Sequence, residues 1–325
     1  MITTSDFKPS PVAVIDLGTH NCRMFVASIN KKSFSIVDSF SRITRLGEGV
    51  SSHGVLAESA MIRTINALKY CAKKIKSNKV VVSRSVATEA CRRASNCNYF
   101  VKRVMQETGI HLEIITPFEE AALAVRGCES LINHEKPYAL IFDIGGGSTE
   151  VTLVEVLGIG KTNLIDFISI PMGVVTVSED CGGGDFSERT FTEISTRVER
   201  LLTPFETEHS IVDKIKANQV QMIGTSGTVT TLGAIDLGLL RYDRGLVDSS
   251  QLKFSSIFSH GRELCNMSLQ ERAASPCVGW ERAELVLSGC AILDAICNLW
   301  PVGNLWIADR GLREGILCDM KDQLS

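Results

Sequence analysis

The sequence predicts an α/β protein of two lobes, each built on a mixed sheet, facing each other across a central cleft. Three observations predict it. Residues 139–142 are a short apolar run that ends at Asp143 and the turn Gly145, Gly146, Gly147, which reads as a buried strand followed by a tight turn. Residues 12–15 end in the same way at Asp16, Leu17, Gly18 and a polar turn through Thr19, His20 and Asn21. Placing VIDLGTHNCRMFV over IFDIGGGSTEVTL superposes Asp16 on Asp143 and Gly18 on Gly145, an internal repeat. Finally, 325 residues exceed the length over which one hydrophobic core usually keeps growing, so two domains are expected.

Taken in order, the first lobe opens with the strand at 12–15 and an antiparallel hairpin, 22–29 and 34–40, around Asn30, Lys31 and Lys32. The arginine-bearing loop 41–50 follows, where Arg42 or Arg45 could reach a phosphate, though surface solvation is the safer reading. Apolar residues at Met61, Ile65, Leu68 and Ala72 recur at helical spacing over 57–76, and 80–82 reads as the next buried strand. Residues 83–96 run from strand into a turn bearing Thr88, Arg92 and Arg93, and a guanidinium fork suits phosphate oxygens. A helix over 98–108, a strand over 111–116 and a helix starting at Pro117 complete the lobe. Glu119 and Glu120 stand in the first turn of that helix, where carboxylates favour its dipole.

The second lobe begins near Glu135. After the central motif, strands at 152–156 and 164–170 pair around a Gly158–Lys161 turn, repeating the pattern of the first lobe. Residues 181–188 read as a flexible glycine turn into a helix over 187–202. A buried strand at 220–223 feeds GTSGTVTTLGA, whose Gly224, Thr225 and Ser226 open a helix and offer backbone N–H groups to an anion. Leu285, Ala291, Leu293 and Ile296 mark buried helical faces, and a last strand at 305–308 leads through ADRGLREGIL into a terminal helix. The domains are therefore expected at 1–134 with 311–325, and at 135–310.

Composition narrows the function. With 44% hydrophobic and 22% charged residues, this is ordinary globular composition. No stretch approaches the ~18 apolar residues of a membrane span. The first ten residues, MITTSDFKPS, lack an apolar signal core and read as a frayed tail. Eleven cysteines without CxxC pairs or metal-finger spacing point to reduced thiols in a cytoplasm. Residues 1–134 carry 18 Lys and Arg against 11 Asp and Glu, and residues 135–325 carry 16 against 26, so a polyanion is expected to lie mainly on the first lobe. No motif of a nucleic-acid module is present, so a nucleic-acid polymer is not the expected partner.

The chemistry is that of phosphate. Three consecutive glycines let the backbone approach a ligand closely and aim several N–H groups at one anion. Asp143 beside such a nest would repel phosphate unless a divalent cation lay between them, as Mg²⁺ does when one or two carboxylates share it with phosphate oxygens.

These features resemble the actin, sugar-kinase and heat-shock-chaperone superfamily, whose lobes have a ribonuclease H-like fold. Within it, DLGTHNCRM, ATEACRRASN, EEAAL, DIGGGSTEV, GTSGTVTTLGA and ADRGLREGIL are similar, in order, to motifs of the exopolyphosphatase/guanosine pentaphosphate phosphohydrolase family. The resemblance covers almost the whole chain. It implies metal-dependent removal of a terminal phosphate from inorganic polyphosphate or guanosine pentaphosphate, with Mg²⁺ or Mn²⁺, and a terminal helix that returns to the first lobe. The chain ends soon after GLREG, which resembles the short, two-domain members. By matching position, Glu120 is implied as the catalytic glutamate, Asp143 and Glu150 as acidic positions around the metal, and Asp16 as the first-lobe aspartate. Gly18, Thr19, Asn21, Gly145, Gly146, Gly147, Ser148 and Arg92 are implied as phosphate contacts. The chain departs from the family at His20, where asparagine is usual, and at Ala122, where arginine is usual and Arg126 is the nearby substitute. A kinase on the same fold would need an aspartate base and adenine selectivity. A polyphosphate or alarmone sensor without turnover would keep the nests and dispense with the base. A homodimer whose basic faces form a channel is an expectation for a long polyanion.

Overall fold

Two mixed sheets organise the chain in the computed structural model, which describes residues 10–30, 33–181 and 186–324. The first sheet contains β1 (Ser10–Leu17), β2 (Asn21–Ile29), β3 (Phe34–Ile43), β4 (Val82–Ala87) and β5 (Glu113–Ile114), in the order β3-β2-β1-β4-β5. The second contains β6 (Tyr138–Ile144), β7 (Thr149–Gly158), β8 (Lys161–Ile170), β9 (Val220–Thr225), β10 (Gln251–Lys253) and β11 (Asn304–Ala308), in the order β10-β11-β9-β6-β7-β8. In both, a three-stranded antiparallel meander is followed by parallel additions beside its first strand: β4 on β1, and β9 on β6. The repeat read from two short motifs thus extends to sheet topology. Contacts divide the chain into one compact unit up to Gly127 together with Leu312 onward, and a second, Cys128–Gly311.

In the first unit, alternation along β1 feeds two cores. Ala13, Ile15 and Leu17 pack with Met61, Ile65 and Leu68 of the helix Glu58–Ser77, and with Phe100 and Val104 of the helix Cys97–Thr108. Val12 and Val14 point to the other face, where Ile316, Leu317 and Met320 of the helix Leu312–Leu324 join Phe25, Ala27 and Leu123. That helix approaches so closely that a Cβ on Gly315 would lie 1.9 Å from the Leu123 carbonyl oxygen. Gly109, at φ 71°, closes the helix Cys97–Thr108 in the left-handed conformation that glycine adopts without strain. Between β2 and β3, Asn30 Oδ1 accepts from Ser33 N at 2.8 Å, tying the two strand ends together.

Two strand expectations shift. Residues 80–82 are not the buried strand: Val81 and Val82 are 62% and 45% exposed, and β4 runs on to Ala87. Parallel pairing sets Val12 against Val82 and Leu17 against Ala87, so only the far end of β4, at Ser85, Val86 and Ala87, is covered on both faces. The strand expected over 111–116 contracts to Glu113–Ile114, because it is an edge strand that pairs only with the end of β4.

In the second unit, the helix Val286–Leu299 is buried nearly all round and packs against the helix Glu188–His209. The latter continues past the expected end at 202 and carries Pro204 in its interior. Pro204 and Arg200 are both exposed, so the carbonyl left without its N–H partner meets water, while Phe205 keeps the next turn anchored in the core. The expected tail over most of the first ten residues, Lys31 and Lys32, and the glycine turn at 182–185 lie outside the described residues. Among the described residues, no helix is long and apolar enough to cross a membrane.

Candidate phosphate and metal site

The glycine turn after β6 is built by consuming its carbonyls. Gly145 N donates to Ser148 O at 2.9 Å, which closes the turn. Gly145 O then accepts from Val174 N at 3.0 Å, and Gly146 O from Val175 N at 2.8 Å, both from the start of the helix Val174–Asp180, while Gly147 O accepts from Thr176 Oγ1 at 3.2 Å. With the carbonyls turned to that helix, the N–H groups of Gly146, Gly147 and Ser148 donate to no acceptor among the described residues. Three successive N–H groups without a protein acceptor are what a turn that binds an anion requires. None of the three glycines has positive φ; their role is close approach. A Cβ on Gly145 would lie 3.1 Å from Ser148 O, and one on the facing Gly173 would lie 2.4 Å from the Gly146 carbonyl carbon.

Beside the nest, the strand register aligns a polar row. Thr225 on β9, Asp143 on β6, Glu150 on β7 and Ser169 on β8 are successive cross-strand partners. Asp143 and Glu150 are therefore two carboxylates at one level of the ladder, and Glu150 is 5% exposed. Ser169 Oγ donates to Glu150 Oε1 at 2.8 Å, which fixes the side chain. Like charges directly opposite each other oppose folding unless something positive lies nearby. An all-oxygen pair next to a phosphate nest fits a hard divalent cation such as Mg²⁺ or Mn²⁺.

The third loop divides its roles differently from the expectation. Gly224 lies within β9 between β6 and β11, and a Cβ there would sit 2.5 Å from the Phe142 ring; this glycine makes room for a core aromatic. Thr225 Oγ1 donates to Arg310 O at 3.0 Å. Ser226 caps the helix Gly227–Asp236 by accepting from Val229 N at 3.2 Å, with φ at 153°, a backbone region unusual for a residue with a side chain.

In the first unit, the turn after β1 has the same closure: Gly18 N donates to Asn21 O at 2.9 Å, as Gly145 N does to Ser148 O. Here the next loop ties it down. Thr19 O accepts from Gly47 N, and His20 O from Thr44 N and Arg45 N, each at 2.9 Å. The Thr19 side chain is buried against Gly47, where a Cβ would come within 2.3 Å of Thr19 Cγ2. Asp16 pairs across the ladder with Arg23, at the position where the second unit has Glu150. Burial raises the Asp16 carboxyl above its usual value, against the pull of Arg23 and Arg313.

Glu120 stands in the first turn of the helix Pro117–Cys128 and accepts from Arg92 Nη1 at 2.7 Å. Arg92 also donates through Nη1 to Ile115 O at 3.1 Å and through Nη2 to Glu89 Oε2 at 3.0 Å. Burial works against the Arg92 charge, but Glu120 and Glu89 outweigh it and hold its pKa above the usual arginine value. The adjacent Glu119 is bound by Arg84, which also forks onto Glu113. Of the two neighbouring glutamates, Glu119 is thus held by the arginine on β4 and Glu120 by the arginine on the short helix Glu89–Arg93. Glu89 was not a sequence candidate; its spacing of three residues from Arg92 on a helix was the available signal.

The sequence profile of the Ppx/GppA phosphatase family matches residues 25–324. The chain belongs to this family. It is 28% identical over 318 residues to a Mycobacterium tuberculosis protein named exopolyphosphatase 2, covering 94% of this chain and 97% of that one. It is 27% identical over 321 residues to an Aeromonas salmonicida protein named guanosine-5'-triphosphate,3'-diphosphate pyrophosphatase, covering 96% of this chain but only 61% of that one. Its structure is similar to a crystal structure of the Aquifex aeolicus Ppx/GppA family member, with a TM-score of 0.78 and 29% identity over 97% of this chain and 98% of that one.

Several other charged candidates have structural partners in this Ppx/GppA chain. Arg126, the substitute proposed for Ala122, pairs with Asp319 and Asp322 on the terminal helix. Arg42 lies over the rings of Phe40 and Tyr70, at 5.3 and 5.9 Å from their centroids. Thr88 is buried, and Arg93 lies 3.9 Å from Glu89. On the second unit, Asp166, Glu208 and His209 bring ligand atoms within 4.8 Å of one another, a further group with metal-binding chemistry. Its His209 Nε2 lies 2.8 Å from Asp166 Oδ2. The eleven cysteines are all free thiols, seven of them buried.

Proposed function

We propose that this chain is a metal-dependent phosphoanhydride hydrolase that removes the terminal phosphate of inorganic polyphosphate, of guanosine pentaphosphate, or of both. The observation that carries the reading is the nest of Gly146, Gly147 and Ser148 N–H groups beside the Asp143–Glu150 pair, in a chain of the Ppx/GppA family. Phosphoryl transfer asks a protein mainly for positioning and charge neutralisation. The nest binds terminal phosphate oxygens, and the turn of Gly18, Thr19 and Asn21 and the loop of Thr225 and Ser226 are the further phosphate contacts of this reading. Asp143 and Glu150, with Asp16, are the residues that would hold Mg²⁺ or Mn²⁺. When bound, the cation neutralises phosphate charge and draws electron density from the bond that breaks.

Glu120 is the general base: it takes the proton from the attacking water as the oxygen bonds to phosphorus and the anhydride oxygen leaves. Its carboxylate is held and oriented by Arg92. Arginine has five N–H donors; Glu120 and Ile115 take both on Nη1, Glu89 takes one on Nη2 and Nε is buried, which leaves Arg92 the second Nη2 N–H for a phosphate oxygen. The free thiols suit a reducing compartment such as the cytoplasm.

Phosphate release with Mg²⁺ from long-chain polyphosphate and from guanosine pentaphosphate tests the reading. Wild type turns over at least one; EDTA abolishes the rate, and Glu120→Gln lowers kcat by about 10²- to 10⁴-fold while the protein stays folded. The ratio of the two substrates assigns preference. Binding of either without turnover by wild type would replace the hydrolase with a sensor, and nucleotide-dependent phosphorylation of an acceptor would replace it with a kinase.

A further inference from the structure

We propose that Glu89 is a positioning residue for the hydrolysis, holding the Arg92 guanidinium so that Arg92 in turn fixes the Glu120 carboxylate; this rests on the reading of Glu120 as the base. Glu89 opens the helix Glu89–Arg93 directly after β4, three residues before Arg92, a spacing that makes the two side chains neighbours on one helical face. Its Oε2 accepts from Arg92 Nη2 at 3.0 Å, while Nη1 reaches Glu120 Oε2 at 2.7 Å and Ile115 O at 3.1 Å. The two carboxylates therefore grip different terminal nitrogens of one planar group. Side-chain exposures of 14% for Arg92, 15% for Glu89 and 16% for Glu120 leave little water to loosen either ion pair.

A guanidinium held at one end only can swing about its long, flexible stem, and the carboxylate it holds moves with it. Held at both ends and pinned by a backbone carbonyl, it has one orientation. The second carboxylate also changes how tightly the first is bound. With Glu89 present, the Arg92 charge is shared between Glu120 and Glu89, which also lies 3.9 Å from Arg93; without Glu89, the Arg92 charge falls on Glu120, the group that must let go of the ion pair to accept a proton. Misplacement and over-binding both act on the chemical step and not on the nest, which lies in the other unit. Glu89 does this through Arg92 and needs no contact with substrate.

A double-mutant cycle with Glu89→Gln and Arg92→Ala, assayed beside Glu120→Gln, tests the inference. Glu89→Gln is expected to lower kcat on the order of ten-fold with KM unchanged within about two-fold. Its Tm and far-UV circular dichroism stay those of wild type. In the Arg92→Ala background, Glu89→Gln should cost less than about two-fold more, because the group it acts through is gone. An unchanged kcat in Glu89→Gln, an undiminished loss in the Arg92→Ala background, or a kcat loss accompanied by a fall in Tm of more than about 5 °C would each overturn the inference. If instead Glu120→Gln keeps its rate, it is the base assignment that fails.

Discussion

Asp143 and Glu150 face each other across the β6–β7 ladder at the position where the first unit sets Asp16 against Arg23. The same strand–turn–strand unit has thus been given an internal counter-charge in one copy and a second carboxylate in the other. Asp143→Asn removes one of the two carboxylates proposed to hold the cation. Mg²⁺ should then raise the wild-type Tm and leave that of the variant unmoved, and phosphate release should be lost. Thermal unfolding with and without Mg²⁺ measures all but the last.

Gly173→Ala tests the nest without touching a candidate ligand. Its Cβ would lie 2.4 Å from the Gly146 carbonyl carbon and 2.5 Å from Gly147 N, backbone atoms that cannot rotate away. The turn must move off the helix Val174–Asp180 and lose the bond from Val175 N to Gly146 O. We expect a stability cost of about 1–3 kcal/mol. Steady-state kinetics should show kcat/KM down by about ten-fold or more, since the N–H groups no longer converge.

Ser226 combines a strained backbone with a helix cap, and two substitutions separate them. Alanine removes the acceptor for Val229 N and keeps the strain at φ 153°, so Ser226→Ala should cost about 1 kcal/mol. Glycine removes the acceptor but tolerates that φ, so Ser226→Gly should cost only a few tenths of a kcal/mol. Chemical denaturation ranks the three proteins.

Asp294 supplies the pH dependence. It lies on the helix Val286–Leu299, accepts from Ser195 Oγ at 2.9 Å, and burial raises its carboxyl above the ordinary 3.8. Glu199 beside it is raised as well, by burial and by Asp294. A carboxyl whose folded value is raised binds its proton more tightly in the native state, so its ionisation costs stability. That cost is absent below the unfolded value, grows as pH rises through the folded value, and is complete at neutrality. Asp294→Asn keeps an acceptor for Ser195 and should raise Tm at pH 7, with the gain vanishing as pH falls below the ordinary carboxylate range. Thermal scans from pH 3 to pH 8 would show it.

The strand–Asp–x–Gly turns were legible because they are local. Apolar runs at 12–15 and 139–142 are too short for buried helices, and the residues that stop them permit only a tight turn, so both the strand and its closure follow from neighbours in the chain. The 80–82 run misled for the complementary reason. Val81 and Val82 look buried by composition, but which part of a strand is covered depends on the register with β1, and that is not a local property. That Gly224 must also leave room for the Phe142 ring beside it in the sheet was not legible either, because the ring comes from another strand.

What the sequence by itself determined is the repeated α/β unit, the two glycine turns and the carboxylates at their strand ends, all set by spacing within a dozen residues. Tertiary structure alone decided the charge partners. Arg23 and Glu150 occupy equivalent positions, but pairing across a ladder sets one as an opposite charge and the other as a like charge facing an aspartate. Glu119 and Glu120 are adjacent and chemically alike, and only the separate arginines that reach them, Arg84 and Arg92, distinguish them. Backbone conformation is governed by near neighbours along the chain, whereas the field at a carboxylate is governed by whatever folding brings within a few ångströms of it.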